Sequence, residues 1–130
     1  MDNELILKQK ELVSLVSERG LGDVLKPLTT EIHLFDTYVA GTTHLKDASV
    51  LEKIQVEDKL FLRREDNKFD SNAILVLNQE KQKLGYIPEK DNVIFARLMD
   101  AGKMLGAKIF KISKKGSFTQ IQIGIYLIDF

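Results

Sequence analysis

The run 118–128 limits the possible folds of this chain more than any other stretch. Thr119, Ile121, Ile123, Ile125 and Leu127 alternate there with Phe118, Gln120, Gln122, Gly124 and Tyr126. Strand side chains leave opposite faces in turn, so a period of two specifies a half-buried β-strand with the first set in a core. Further β-rich runs are expected at 34–42, 59–64, 73–78, 83–88 and 104–113. Good turn formers separate them: Glu65-Asp66-Asn67, Asp70-Ser71-Asn72, the stretch 78–82, and Lys115-Gly116-Ser117. One helix interrupts the series. It begins near Asp91-Asn92, either of which can cap it, and Val93, Ile94, Phe95, Leu98 and Met99 supply its apolar side. Gly102 sits where a left-handed residue ends a helix. Six strands with one inserted helix predict a mainly β (α+β) fold, a partly open barrel of the OB or SH3-like kind.

A second helix is expected ahead of the barrel, over 4–19. Leu5, Ile6, Leu12, Val13 and Val16 share one broad side of it, and Gly20 and Gly22 can end it. The domain reading is therefore an N-terminal helical extension, 1–30, followed by the barrel, 31–130. The helix either packs on the barrel or forms a contact between two copies of the chain. With 130 residues, 44% of them hydrophobic, the chain has material for one domain with a true core. It contains no cysteine, which removes disulfides, thiolate zinc sites and cysteine nucleophiles together. The acidic start Met1-Asp2-Asn3-Glu4 lacks the features of a signal peptide, and no apolar run is long enough to span a bilayer. A cytoplasmic protein without membrane partners is expected.

Lysine plus arginine and aspartate plus glutamate both number 19, and zero net charge argues against strong non-specific duplex binding. The distribution is uneven. Between 101 and 128 stand Lys103, Lys108, Lys111, Lys114 and Lys115, with no acid. Such a strip is either a solvated strand face or an attractor for a short anion. Phe118 points with the glutamines and lies next to Lys114 and Lys115. There it either stacks on a base, with lysines meeting phosphate, or folds over the open end of the barrel. The loop 65–72 is polar, with Phe69 in its middle. Asp70 and Asn72 can bind a ligand or hydrogen-bond their own backbone. Its acids lack calcium-loop spacing. Tyr38 enters Gly41 from a strand, and a lone tyrosine there is commonly core with its hydroxyl at the rim. No phosphate-cradling glycine loop with lysine is present. His33 and His44 are isolated, which offers neither a triad nor a zinc site. No enzyme activity, metal or cofactor is expected.

Read together, Tyr38-Val39-Ala40-Gly41, Leu60-Phe61-Leu62-Arg63-Arg64-Glu65, Asn67-Lys68-Phe69-Asp70-Ser71-Asn72-Ala73-Ile74, Leu84-Gly85-Tyr86-Ile87-Pro88 and Leu98-Met99-Asp100-Ala101-Gly102 resemble the HIRAN domain family in order and spacing. The resemblance runs from about Phe35 to about Leu127. It implies a six-stranded OB-like barrel that recognises the unpaired 3′ end of DNA, alone in bacteria or fused to ATPases that remodel replication forks. By this resemblance Tyr38 and Phe69 match base-stacking positions, and Asp70 matches the acceptor of the 3′-hydroxyl. Phe118 matches the phenylalanine opening the last strand, and Asn67 and Tyr86 match further groups lining the pocket. Two departures stand out. Thr37 replaces a phosphate-binding arginine, and Glu89 follows Pro88 where positive charge is usual. Lys68, Lys90, Lys114 and Lys115 are the candidates to compensate. The expected partners are single-stranded DNA 3′ ends, with repair or helicase proteins beside them. The alternative is a protein-interaction adaptor that keeps the barrel but has lost the DNA pocket, a reading favoured by the neutral charge and the missing arginine.

Overall fold

The computed structural model describes residues 30–129, so the helix expected at 4–19 and its suggested contact between copies lie outside the described residues. The alternating C-terminal run forms β6 (Phe118–Asp129), and the run before it forms β5 (Met104–Lys115). They pair antiparallel from Met104↔Ile128 to Lys115↔Phe118, with one irregularity between Ile109 and Lys111 that leaves Phe110 as an extra residue. As the period of two demands, Thr119, Ile121, Ile123 and Ile125 are buried. Around this ribbon stand β1 (Thr30–Tyr38), β2 (Lys59–Arg64), β3 (Ile74–Leu77) and β4 (Lys83–Tyr86), in the order β1-β6-β5-β2-β3-β4. All the side chains of β3 are buried, which is why its sequence Ile-Leu-Val-Leu does not alternate.

The sheet curls until its two edges meet at one point. Ala40, just past β1, bridges Tyr86 at the end of β4. The Ala40 amide donates to the Tyr86 carbonyl at 2.8 Å, and the Tyr86 amide donates back at 2.9 Å. Gly85 permits this approach, because a Cβ there would stand 2.2 Å from the Ala40 carbonyl oxygen and 2.7 Å from a Val39 methyl. Beyond the bridge the edges diverge. The helix α1 (Asn92–Asp100) lies by β1 there, with the Phe95 ring 5.8 Å from that of Phe35. Ile74, Val76, Leu84, Ile87, Ile109, Ile121, Ile123 and Ile125 fill the interior. Fully burying such side chains contributes about 1.5–3 kcal/mol each.

Three details differ from the sequence expectation. β1 begins four residues earlier than 34 and ends at Tyr38 instead of 42, because Gly41 turns the chain out of the ladder at φ 78. Two 3-10 turns follow, Thr42–His44 and Ala48–Glu52, where past Thr42, the end of the expected first strand, no element was expected. In α1 the exposed residues include Val93 (39%) and Ile94 (69%), while Asn92, Phe95 and Ala96 are buried. Positions three and four apart share a helix face, so once Asn92 is held inside, Val93 and Ile94 must turn outward. Gly102 does adopt the left-handed conformation expected of it, at φ 92. Among the described residues no helix is long and apolar enough to cross a membrane.

Candidate nucleic-acid interface

Of the expected site residues, Tyr38, Tyr86 and Phe118 stand near the bridge between Ala40 and Tyr86. On one side of it stands Tyr38, exposed at the end of β1, with the Lys90 ammonium 5.4 Å from its ring centroid. On the other side Gly41 lies against the Tyr86 ring, and Thr42 donates to the Thr119 carbonyl at 3.2 Å, next to Phe118. Phe118 is 41% exposed and pairs directly with Lys115. It therefore does not fill the open end of the barrel. Lys114 pairs with buried Thr119 and so belongs to the opposite face of the ribbon from Phe118. The structure thus separates two neighbouring lysines that the sequence left equivalent.

The loop 65–73 supplies the polar groups. Asn67 does local work: its Oδ1 accepts from the Phe69 amide at 2.8 Å, and its Nδ2 donates to Glu65 at 3.1 Å. The nearby Tyr86 hydroxyl is the main cause holding the Glu65 carboxyl below the usual carboxylate range. Asn67 and the nearby charges of Lys83 and Arg63 add to the effect. Lys83 donates to the same hydroxyl at 3.1 Å. Lys68 is exposed, and Phe69 is 94% exposed, an aromatic ring presented almost wholly to water.

Asp70 is half-buried and fully oriented. Its Oδ1 accepts from the Asn72 amide at 2.9 Å, the turn role foreseen for it. Its Oδ2 accepts from Nδ2 of Asn92 at 2.7 Å, and Asn92 is only 1% exposed. A carboxylate offers about four acceptor positions, so roughly two remain for a ligand. Asn92 had been expected only as a helix cap. Its real partner lies 22 residues away, and nothing local in the sequence signals that pairing. Asp91 precedes the helix without capping it, because its carboxylate accepts from the Thr37 hydroxyl at 2.8 Å. The position that lacks an arginine is thus committed to an internal hydrogen bond.

Arg64, at the end of β2, reaches across to the loop 65–73. Its guanidinium donates to the carbonyls of Ala73 and Ser71 and to both oxygens of Asp100, the nearest at 2.9 Å. One side chain therefore ties the end of the loop to the last turn of α1. Among the described residues no cluster of His, Asp and Glu is arranged to hold a metal ion.

The family model of the HIRAN domain matches residues 32–127. Among solved structures, a protein from Lactobacillus plantarum is 26% identical, with a TM-score of 0.73 over 78% of this chain and 99% of that one. The HIRAN domain of human HLTF shares the fold at 17% identity, with a TM-score of 0.62 over 78% of this chain and 79% of that one. No curated protein sequence matches the chain.

Proposed function

Because the chain belongs to the HIRAN domain family, we propose that it is a nucleic-acid-binding module which takes up the free 3′ end of single-stranded DNA, and that it binds without catalysing a reaction. The observation that supports this reading is Asp70, a half-buried carboxylate aligned by Asn72 and Asn92, in a domain that leaves the rings of Tyr38, Phe69 and Phe118 exposed. A 3′-hydroxyl can donate to such a carboxylate in a charge-assisted bond, whereas a 3′-phosphate or a continuing backbone meets like charge. The three rings supply sequence-tolerant stacking, roughly 1–3 kcal/mol per base. Lys90 beside Tyr38 takes the place of the missing arginine as phosphate partner at the end site. A role at DNA ends in repair or fork processing, together with helicase or repair proteins, follows as part of the same proposal.

The test is a fluorescence-anisotropy titration of oligothymidine ending in 3′-hydroxyl or 3′-phosphate. The hydroxyl strand is expected to bind more tightly by about tenfold, or 1.4 kcal/mol. Asp70→Ala shrinks that gap, and Phe118→Ala weakens both strands. Equal affinity of the unaltered protein for the two ends defeats the end-recognition reading.

A further inference from the structure

The rim around the bridge continues without interruption onto the outer face of the β5–β6 ribbon. Directly opposed residues of an antiparallel pair share a face. The outer rows, from the hairpin tip downward, are Lys115 with Phe118, Ser113 with Gln120, Lys111 with Gln122, and Lys108 with Gly124. β1 extends these rows. The Val39 amide donates to the Ile121 carbonyl at 2.9 Å, and Asp36 and His33 both lie against Gly124. Val39 is buried and Tyr38 exposed, so Tyr38 falls on the outer face in the row of Gln122 and Lys111. Phe118 stands four positions further along β6, roughly 13 Å away at the strand rise. Two exposed rings, two lysines and two glutamines thus share one strip, all but Tyr38 drawn from a stretch, 101 to 128, that carries no acid.

The strip has a defined lower end. Lys108 lies 3.7 Å from Glu31, and Asp36 accepts from His33 at 2.6 Å, so the face turns from cationic to neutral one row below Tyr38. Bulged Phe110 marks the same level on β5 and is 46% exposed.

Building on the proposed end-binding, we infer that this strip is a second, backbone-tracking surface. It carries the nucleotides behind the terminal one, with Lys111 and Lys115 on phosphate, Phe118 under a base, and Gln120 and Gln122 on base edges or sugars. The occupant is single-stranded DNA, because an alternation of exposed rings and ammonium groups suits unpaired bases with accessible faces. The strip is sequence-tolerant and confers length dependence, whereas the rim at Asp70 confers end dependence.

The experiment measures affinity of the full chain for 3′-hydroxyl oligothymidines of about two, four, six and eight nucleotides, each across a salt series. Affinity is expected to rise beyond two nucleotides before it levels off. In Lys111→Ala/Lys115→Ala the rise is lost, and the slope of log affinity against log salt flattens by about 1.4, since each phosphate contact to a single strand contributes about 0.7. The preference for hydroxyl over phosphate ends persists in that variant. Lys53→Ala/Lys103→Ala removes the same charge from exposed lysines off the strip and leaves both quantities as they were. Gln122→Lys, which adds a cation in the row of Tyr38, steepens the slope. A plateau already at two nucleotides, with the end preference intact, overturns the strip and spares the end reading. Length dependence with no end preference does the reverse. Equal loss in both lysine pairs means general electrostatics alone and also overturns the strip.

Discussion

At Asp70 one carboxylate faces two partners of different kinds. The Asn72 amide is a neighbour in the chain, but Asn92 reaches in from the start of α1 and fixes the plane of the group. The amide side chain is suited to this because its Nδ2 only donates, so it meets the Asp70 oxygen as a fixed hydrogen-bond donor. Asn92→Asp should therefore make binding pH-dependent. Two carboxylates at this separation cannot both ionise without repulsion, and at low pH a shared proton stands in for the amide hydrogen. Titrated between about pH 5 and 8, that variant is expected to lose affinity for the hydroxyl end as pH rises, by about tenfold, while the unaltered protein stays level. The exchange Asp70→Asn/Asn92→Asp restores an acid–amide pair and its thermal stability but not the preference for a hydroxyl end. A level profile in Asn92→Asp removes the positioning role. Asp70 itself was legible in the sequence through its motif. Its partner was not, because a helix-start asparagine is ordinarily explained by capping and only the tertiary fold brings 70 and 92 together.

The loop 65–73 behaves as an element in its own right, pinned at both ends while its middle carries an almost bare ring. Arg64 holds the carbonyls of Ser71 and Ala73, and Glu65 accepts from Asn67 near Tyr86. Arg64→Ala leaves the Ser71 carbonyl without its donor, while the Ala73 carbonyl keeps only the Glu65 amide, and is expected to cost about 1–3 kcal/mol, read as a lower midpoint in urea. It should also speed amide hydrogen exchange across 66–72. The Glu65 end responds to acid. Its carboxyl is depressed in the folded protein, so its contribution is complete above the ordinary carboxylate range and is lost as pH falls through the lowered value. The same exchange measurement should show the loop loosening only in acid. At this scale β2 and both ribbon strands were readable from their periods, since burial on one face leaves its mark every second residue. The 3-10 turns and the outward-facing side of α1 were not, because they depend on Gly41 leaving the ladder and on Asn92 being drawn inward. The strip on the ribbon was half visible as a run of lysines. Which of them face Phe118 depends on the bulge at Phe110 and on register, neither of which composition records.

For the molecule as a whole, the decisive contact is the single bridge that turns a six-stranded sheet into a barrel. Gly85→Ala drives a methyl group into the Ala40 carbonyl. It should cost upwards of about 3 kcal/mol, the top of the usual range for overpacking, because the clash is with backbone and not with a flexible side chain. Calorimetry of Gly85→Ala beside Gly102→Ala separates the two effects, since Gly102 has open space around it and only its backbone angle to lose. A melting point for Gly85→Ala as high as that of Gly102→Ala would mean the barrel does not need its closure. The bridge has one more consequence. Two hydrogen bonds join β1 to β4, and the residues bracketing them are the ones proposed to grip DNA, so ligand and seam are stacked in series. A strand end held by Tyr38 on one lip and by Phe69 and Asp70 on the other would act as a suture. Protection of the Ala40 and Tyr86 amides should then climb with occupancy, which makes this two-bond join a reporter of the bound strand.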